Sequence, residues 1–262
     1  MGRIHWFEIH DQPWFPAPLR DALTDILEAA LHTGNNYGTI VPRLRSALAR
    51  TGARRIVDLC SGGGGPWPRM YKLFVGDENE HQPSVSICLT DKFPNLRALE
   101  RARAESKNQI EFRAEPVDAT AVPPDLRGFR TLFTSFHHFR PVDARAILGD
   151  AVKQRAGIGV FEVTHRSAKA LLLSLLAPLM VLVLVPFMRP FRWSRLLWTY
   201  LIPILPLVAF HDAVASCFRT YSPQELQALV QGLADSAYSW EIGEQQGPRS
   251  PLPITYLIGV PK

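Results

Sequence analysis

One short segment restricts the possible folds of this chain more than any other. Residues 55–60, Arg-Ile-Val-Asp-Leu-Cys, include β-branched side chains and are typical of a short buried strand. Glycines at positions 62–65 follow, and Pro66 marks a helix start, since proline is tolerated in a first helical turn. Glycine allows a sharp turn and lets the backbone approach a ligand with no Cβ in between. The segment therefore predicts a ligand site at the carboxyl end of a strand in an open parallel sheet.

The rest of the chain repeats this alternation of short strands and helices. Strands that alternate with helices imply parallel strands covered on both faces. We therefore predict an α/β fold with a doubly wound, mostly parallel seven-stranded sheet, whose last two strands form an antiparallel edge pair. The further strands are predicted over 84–90, 110–114, 129–136, 157–163, 238–242 and 254–260, with helices over 95–107 and 141–154.

Sequence patterns divide the chain into four parts. Before the first strand, apolar residues recur at helical spacing, which predicts N-terminal helices. After the fifth strand the alternation stops and long uncharged stretches begin. It resumes at Pro223, where Ser222 and Glu225 form a capping-box pattern. The parts are a helical lead-in (1–50), a core (51–163), a hydrophobic helical insertion (164–215) and the C-terminal part of the core (216–262), with one helix and two strands.

The insertion contains two uncharged apolar runs, residues 170–188 and 196–210. Each has about the length that a helix needs to cross a bilayer, but prolines interrupt both. A transmembrane hairpin would put the connecting arginines outside, against the positive-inside tendency. We therefore expect a shallow hairpin at an anionic membrane surface, with a helical cap over the core or a dimer interface as the alternative. The side chains expected at the headgroup level are Arg189, Arg192, Trp193, Arg195 and Trp198.

Charge and cysteine content limit the partners and the compartment. The net charge is +5 and the pI about 9.3, with no polybasic tail, so we expect a membrane surface and no nucleic acid as partner. Cys60, Cys88 and Cys217 fit neither a CxxC pair nor a zinc site, which favours a reducing cytoplasm. The first residues contain no continuous apolar segment, so no secretory signal is expected.

Two nucleotide-binding families place a glycine turn after a strand. A dinucleotide fingerprint reads Gly-x-Gly-x-x-Gly, and Gly62 and Gly65 fit its later positions. Cys60 stands at its first position, which forms the tight turn. The pattern Asp-x-Gly-x-Gly-x-Gly instead matches at Asp58, Gly62 and Gly64, and its one departure is again Cys60.

Three further segments follow in the order expected of the second pattern. Asp91 closes the second strand, where a carboxylate accepts hydrogen bonds from ribose hydroxyls. Residues 118–119 follow the third strand, and residues 134–139, Thr-Ser-Phe-His-His-Phe, end the fourth. Over residues 54–163 the chain thus resembles the class I S-adenosylmethionine (SAM)-dependent methyltransferases, which implies SAM as the cofactor. The resemblance assigns cofactor binding to Asp58, Cys60, Gly62, Gly64, Asp91, Lys92, Asp118, Ala119 and Ser135.

Methyl transfer from SAM is an in-line displacement, so the enzyme mainly positions the acceptor and removes a proton where needed. His137 and His138 end the fourth strand, and His211 lies where the insertion returns to the core. These three histidines are the catalytic candidates. No metal-ligand cluster is visible in the sequence, which predicts metal-independent chemistry. Further candidates for contact with substrate or cofactor are Tyr37, Glu162, His165 and Asp212.

These observations predict a SAM-dependent methyltransferase on the cytoplasmic side of a membrane. The insertion follows the fifth strand and so lies near the expected site, which favours an apolar small-molecule or lipid-like acceptor. A non-catalytic protein of the same fold, serving assembly at a membrane, is the alternative. An NAD-dependent oxidoreductase is a third interpretation, which Cys60 at the tight-turn position disfavours.

Overall fold

Short runs rich in β-branched and aromatic side chains form the strands, because such side chains pack well on a pleated, buried surface. The fourth strand ends earlier than predicted, at Phe133, and a 3₁₀ turn (Phe136–His138) follows it.

The structure is a computed structural model that describes residues 2–33, 36–74, 85–233, 237–247 and 250–262. The predicted start of the second strand, at residue 84, lies outside these ranges. The strands are β1 (Arg55–Asp58), β2 (Ser86–Leu89), β3 (Ile110–Phe112), β4 (Phe129–Phe133), β5 (Ile158–Glu162), β6 (Tyr238–Gln245) and β7 (Ile254–Pro261).

The seven strands form one sheet in the order β3-β2-β1-β4-β5-β7-β6. The first five strands in this order pair with one another in parallel. Strand β7 pairs antiparallel with both β5 and β6. The mostly parallel seven-stranded sheet is therefore confirmed, as is the antiparallel pair at its edge. Chain order reverses at β1, which has β2 on one side and β4 on the other. A crevice forms outside the carboxyl ends of strands at such a reversal, and ligands bind there in open α/β sheets.

Helices cover both faces of the sheet, since successive side chains of a strand point to opposite sides. Ile56 of β1 packs in a cluster with Leu44 and Trp67, while the next residue, Val57, packs in a second cluster with Ile147. The doubly wound arrangement is confirmed. The helices are α1 (Ala17–Thr33), α2 (Val41–Thr51), α3 (Trp67–Met70), α4 (Leu96–Glu105), α5 (Pro141–Lys153), α6 (Ala168–Ser174), α7 (Ala177–Leu184), α8 (Trp193–Leu196), α9 (Ile204–Arg219) and α10 (Pro223–Val230).

The insertion and the N-terminal helix share a third apolar cluster. Leu23 and Ile26 of α1 pack with Val181 of α7, with Val185 just after it, and with Leu205 of α9. The insertion is thus anchored by one face to the lead-in helix. Its last helix, α9, continues to residue 219, beyond the boundary at 215 that the sequence suggests.

A buried ion pair fixes the insertion to α1. The Asp25 carboxylate accepts a hydrogen bond from Arg195, and both side chains are almost completely buried. Asp25 also accepts a hydrogen bond from Arg101 of α4, at 2.9 Å, so one carboxylate joins α1, the insertion and the core. Arg195 therefore lies inside the protein, and its expected place at a membrane surface is wrong. Its guanidinium pairs there with the Asp25 carboxylate.

The opposite face of the insertion is apolar and exposed. One helical stretch, Ala168–Phe187, is long and apolar enough to cross a membrane, and most of it is accessible to solvent. The segments Trp193–Leu201 and Ile204–Arg219 pass the same test together, but they meet at an angle of 75°. The exposed apolar face of the insertion consists of Leu172, Leu175, Leu176, Leu179, Val183, Phe187, Trp193, Leu201 and Leu207.

Candidate active site

The segment after β1 forms the sharp turn that its glycines predict. Its backbone φ angles are positive at Gly62 (56°), Gly64 (122°) and Gly65 (54°), where glycine has no Cβ to clash. Cys60 also has a positive φ, of 59°. The one residue that departs from the methyltransferase pattern thus adopts the left-handed conformation that glycine would adopt, at a cost of about 1–2 kcal/mol.

The carboxylate of Asp58 lies beneath this turn, at the end of β1. Oδ1 accepts a hydrogen bond from the Thr131 hydroxyl at 2.6 Å, and Oδ2 accepts one from the Ser61 hydroxyl at 2.7 Å. Burial raises the pKa of Asp58 to about 7, against the effect of these hydrogen bonds. Both oxygens therefore serve to hold the turn against the sheet, and direct contact of Asp58 with a cofactor stays a prediction.

Asp91 stands beside the turn, immediately after the end of β2. Its Oδ2 accepts a hydrogen bond from the backbone N–H of Gly62, and its Oδ1 accepts one from the N–H of Phe93, both at 2.7 Å. A carboxylate oxygen has two lone pairs, so each oxygen can accept one further hydrogen bond. The carboxylate is thus fixed next to the glycine turn with capacity for two hydroxyl groups, as ribose binding requires.

Lys92 and Asp118, two of the residues assigned to cofactor binding, form an ion pair. Lys92 Nζ donates to Asp118 Oδ2 at 2.8 Å, and Thr120 donates from its hydroxyl to Asp118 Oδ1 at 2.6 Å. These hydrogen bonds, from Lys92 first and then Thr120, lower the pKa of Asp118 to about 2. Ala119 is buried in the core. The loop after β3 is therefore held by an anionic Asp118.

The end of β4 contains a buried hydroxyl without a partner. Ser135 Oγ forms no hydrogen bond with any described residue. Next to it, Thr134 has a φ of 46°, which a β-branched residue rarely adopts, and its hydroxyl is hydrogen-bonded to that of Tyr37. Unsatisfied buried groups and strained backbone are concentrated at functional sites. Ser135 thus fits its assigned place beside a bound ligand.

His137 is held below the surface by Glu162. Its Nδ1 lies 2.7 Å from Glu162 Oε2, and Oε1 accepts the backbone N–H of Phe136 at 2.7 Å. Burial raises the pKa of Glu162, but His137 and the other groups around it bring it below its ordinary value. Because His137 is only 1% exposed, its side chain supports the turn after β4 from inside.

His138 faces the N-terminal segment, residues 3–15. Its Nδ1 lies 2.8 Å from Asp11 Oδ2 and 3.6 Å from Glu8 Oε2. Burial lowers the pKa of His138, but the charges of Glu8 and Asp11 raise it by more, to about 9. Arg219 forms ion pairs with both carboxylates: its Nη1 lies 3.1 Å from Glu8 Oε1 and 3.0 Å from Asp11 Oδ2.

Two further candidates, His211 and Asp212 of α9, contact the same N-terminal segment. Asp212 accepts the backbone N–H groups of Ile9, at 2.7 Å, and His10, at 3.1 Å. His211 packs against the rings of Trp6 and Phe7, with centroids 5.3 and 5.1 Å apart, so it contacts the N-terminal segment. A separate environment holds His165, whose Nε2 lies 3.1 Å from the Thr255 hydroxyl.

Helix α1 covers the glycine turn. A Cβ placed on Gly62 would stand 3.1 Å from Thr24 Cγ2, and one on Gly63 would stand 3.0 Å from Glu28 Oε2. Burial raises the pKa of Glu28 to about 8, and Arg101 opposes this shift. These contacts could not be predicted from the sequence, because α1 and the turn are far apart in the chain. The site residues that sequence reasoning missed are Glu8, His10, Asp11, Thr24, Glu28 and Ser216.

Solved structures resemble this one, although no family model and no curated relative matches the sequence. The plantazolicin methyltransferase BpumL, solved with SAH, is 9% identical over 97% of this chain and 94% of its own, with a TM-score of 0.59. NcsB1, an O-methyltransferase from neocarzinostatin biosynthesis solved with SAM and 2-hydroxy-5-methyl naphthoic acid, is 13% identical over 92% of this chain, with a TM-score of 0.52.

The mitomycin 7-O-methyltransferase MmcR is 16% identical over 94% of this chain, also with a TM-score of 0.52. The chain spans 58% of the length of NcsB1 and of MmcR. At these identities the likeness concerns the fold. The sheet order, the left-handed turn after β1 and these matches together show that the chain has the fold of the class I SAM-dependent methyltransferases.

Proposed function

We propose that this protein is a SAM-dependent methyltransferase that acts on an apolar small-molecule or lipid-like acceptor at the cytoplasmic face of a membrane. One observation carries the proposal: the glycine turn and the Asp91 carboxylate meet at the switch point of the sheet, joined by the hydrogen bond from Gly62. The structural neighbours BpumL and NcsB1, solved with SAH and SAM, support the same cofactor.

Cofactor binding uses the residues around this turn. Asp91 accepts hydrogen bonds from the ribose hydroxyls, and the glycine turn beside it borders the amino-acid end of SAM. The loop that contains Asp118 borders the adenine, and Ser135 gains a partner for its unsatisfied hydroxyl. Bound SAM supplies an electrophilic methyl group. The chain's own part is to bind, orient and desolvate the reactants.

The turn after β4 positions the acceptor. His138 has a side chain that is 22% exposed and is therefore better placed than His137 to reach a bound molecule. His137, held by Glu162, acts through the position of the turn. His211 contacts the N-terminal segment and contributes to acceptor binding only through that segment. The proton of an acceptor hydroxyl or amine passes to bulk water, since His138, with its pKa raised to about 9, is already protonated at neutral pH.

Membrane association is supported by the asymmetry of the insertion. Its inner face is packed on α1, whereas its outer face exposes large apolar side chains such as Leu176 and Leu179. Many large apolar side chains exposed on one insertion favour an interaction site. A helix that must remain packed on α1 by one side suits insertion parallel to the membrane surface better than a transmembrane position. Exposed Arg189, next to this face, suits anionic headgroups.

Label transfer from methyl-labelled SAM tests this proposal. The protein is incubated with vesicles that contain lipid-soluble phenols and quinols, and separately with water-soluble phenols. We expect label in the lipid-soluble products, and none with Asp91→Ala. Label only in water-soluble products would contradict the apolar acceptor. SAM binding without any turnover would favour the alternative, a non-catalytic protein of the same fold at a membrane.

A further inference from the structure

A compact group of histidines and carboxylates lies where the N-terminal segment crosses the turn after β4. Glu8, His10, Asp11 and His138 each contribute one potential ligand atom, and these four atoms lie within 4.8 Å of one another. Glu8 is buried and the other three side chains are partly buried. We propose that these four side chains bind a divalent first-row transition-metal ion.

Arg219 engages Oε1 of Glu8 and Oδ2 of Asp11, and Asp11 Oδ2 also lies 2.8 Å from His138 Nδ1, a contact that the ion would replace. The other oxygen of each carboxylate is also near a histidine. The second oxygen of Glu8, Oε2, lies 3.6 Å from His138 Nδ1. The second oxygen of Asp11, Oδ1, lies 3.5 Å from His10 Nε2. Both distances exceed a hydrogen bond. They fit the separation of about 3.4 Å between two ligand atoms that each lie about 2.1 Å from a tetrahedral ion.

His10 has the orientation that a metal ligand needs. Its Nδ1 lies 2.8 Å from Asp212 Oδ2, which leaves Nε2 for the ion. A ligating histidine usually donates its other ring N–H to a carboxylate or carbonyl, which fixes the ring and its tautomer. Asp212 also accepts the backbone N–H of His10, at 3.1 Å, so ring and backbone are held by the same carboxylate.

His137 gives an independent indication of a ligand at this place. It is almost completely buried, and its Nε2 has no hydrogen-bond partner among the described residues. This nitrogen lies 3.6 Å from Glu8 Oε1, and Glu162 fixes it through the other ring nitrogen, at 2.7 Å. A buried polar atom without a partner is costly. A water molecule on the ion would satisfy it.

The donor set selects the class of metal. Two imidazoles with two carboxylates suit Zn²⁺, Fe²⁺, Co²⁺ or Ni²⁺, whereas Mg²⁺ and Ca²⁺ prefer oxygen ligands alone. The ion would join the N-terminal segment to the end of β4. It would lie at the carboxyl edge of the sheet, where an acceptor enters. Its binding does not depend on SAM, so this inference stands apart from the proposed function.

Metal titration of the chelator-treated full-length chain tests the site. Zn²⁺ is titrated by calorimetry, and Co²⁺ is followed by its visible absorption. We expect one ion per chain, and binding at least ten-fold weaker in His10→Ala and in Asp11→Asn. His5→Ala is the matched control, because His5 lies on the same segment outside the four ligands, and it should bind like the wild type.

The variants are checked for folding by thermal unfolding in chelator. The Asp11 side chain is more exposed than that of Glu8, so Asp11→Asn should disturb folding less than a substitution of Glu8. Metal should raise the midpoint of wild-type unfolding and not that of Asp11→Asn, since binding to the folded state stabilises it. Failure of the wild type to bind either ion, or equal binding by a folded Asp11→Asn, would overturn the proposal.

Discussion

Glu28 of α1 lies directly over Gly63 of the glycine turn, with its Oε2 3.0 Å from the position that a Cβ on residue 63 would take. The lead-in helix is therefore part of the candidate active site. Arg101 Nη2 lies 3.9 Å from Glu28 Oε2, which is too far for a close ion pair. The carboxyl group is therefore partly buried over the turn, with little compensation for a negative charge.

The first prediction concerns the pH dependence of stability. The pKa of Glu28 is about 8 in the folded protein, above the ordinary value of 4.5, because burial disfavours the charged form. The folded state binds the extra proton, so this contribution to stability is complete below about pH 4.5 and is lost as the pH rises through about 8. In Glu28→Gln this dependence disappears.

Chemical unfolding at several pH values measures the effect. The free energy of unfolding of the wild type should fall relative to Glu28→Gln by about 4 kcal/mol between about pH 5 and pH 9. Glu100→Gln, an exposed position on α4, is the control and should follow the wild type. Parallel pH profiles for the wild type and Glu28→Gln would contradict the assignment.

The second prediction concerns two glycines in different environments. Gly64 has a φ of 122°, and a Cβ there would stand 3.3 Å from Pro68 Cγ. Gly149 lies inside α5, where a Cβ would meet only Leu233 Cδ2, at 3.7 Å. We expect Gly64→Ala to lower the free energy of unfolding by about 1–3 kcal/mol, and Gly149→Ala to raise it by up to about 1 kcal/mol. Denaturant titrations in which both variants change the free energy of unfolding in the same direction would contradict this account of the turn.

The third prediction concerns the ion pair between Asp25 and Arg195. Asp25→Ala leaves Arg195 buried without its carboxylate, so we expect a loss of about 3–5 kcal/mol in the free energy of unfolding. The double variant Asp25→Leu/Arg195→Met should lose much less, because no unpaired charge remains. Asp125→Ala removes an exposed ion pair with Arg113 and should have little effect. Equal losses in Asp25→Ala and Asp125→Ala would show that the insertion is not fixed in this way.

The fourth prediction concerns the exposed apolar face of the insertion. Flotation with vesicles that contain anionic lipids should carry the wild type to the top of the gradient. Leu176→Ser/Leu179→Ser should remain at the bottom, because the apolar area available for burial in the bilayer decreases. Val142→Ser changes an exposed apolar side chain on α5 and should float like the wild type. A wild type that stays at the bottom as a stable dimer would favour the interface interpretation.

Local patterns predicted most of the fold. β-branched runs marked the strands, and the Ser222–Glu225 capping box forms at the start of α10 with both of its hydrogen bonds. The glycine turn was also predictable, since its backbone conformation depends on adjacent residues. Even Cys60, a departure from the pattern, takes the conformation of the glycine that it replaces.

Contacts between distant segments could not be predicted in this way. Asp11 meets His138 across 127 residues, and Asp25 meets Arg195 across 170. The N-terminal segment has no helical or strand periodicity that would indicate its path over the sheet. Its contacts with the end of β4 were therefore not predicted, and the three arginines of the insertion were all expected at the headgroup level, although Arg195 is buried.

Calorimetric titration with SAM and S-adenosylhomocysteine tests the central claim most directly. The wild type should bind both in the micromolar range. Asp91→Ala should abolish binding because it removes the acceptors for the ribose hydroxyls, while Asp125→Ala should bind normally. NADH, titrated in parallel, should produce no heat of binding. A folded wild type that binds neither SAM nor S-adenosylhomocysteine, or that binds NADH instead, would contradict the account.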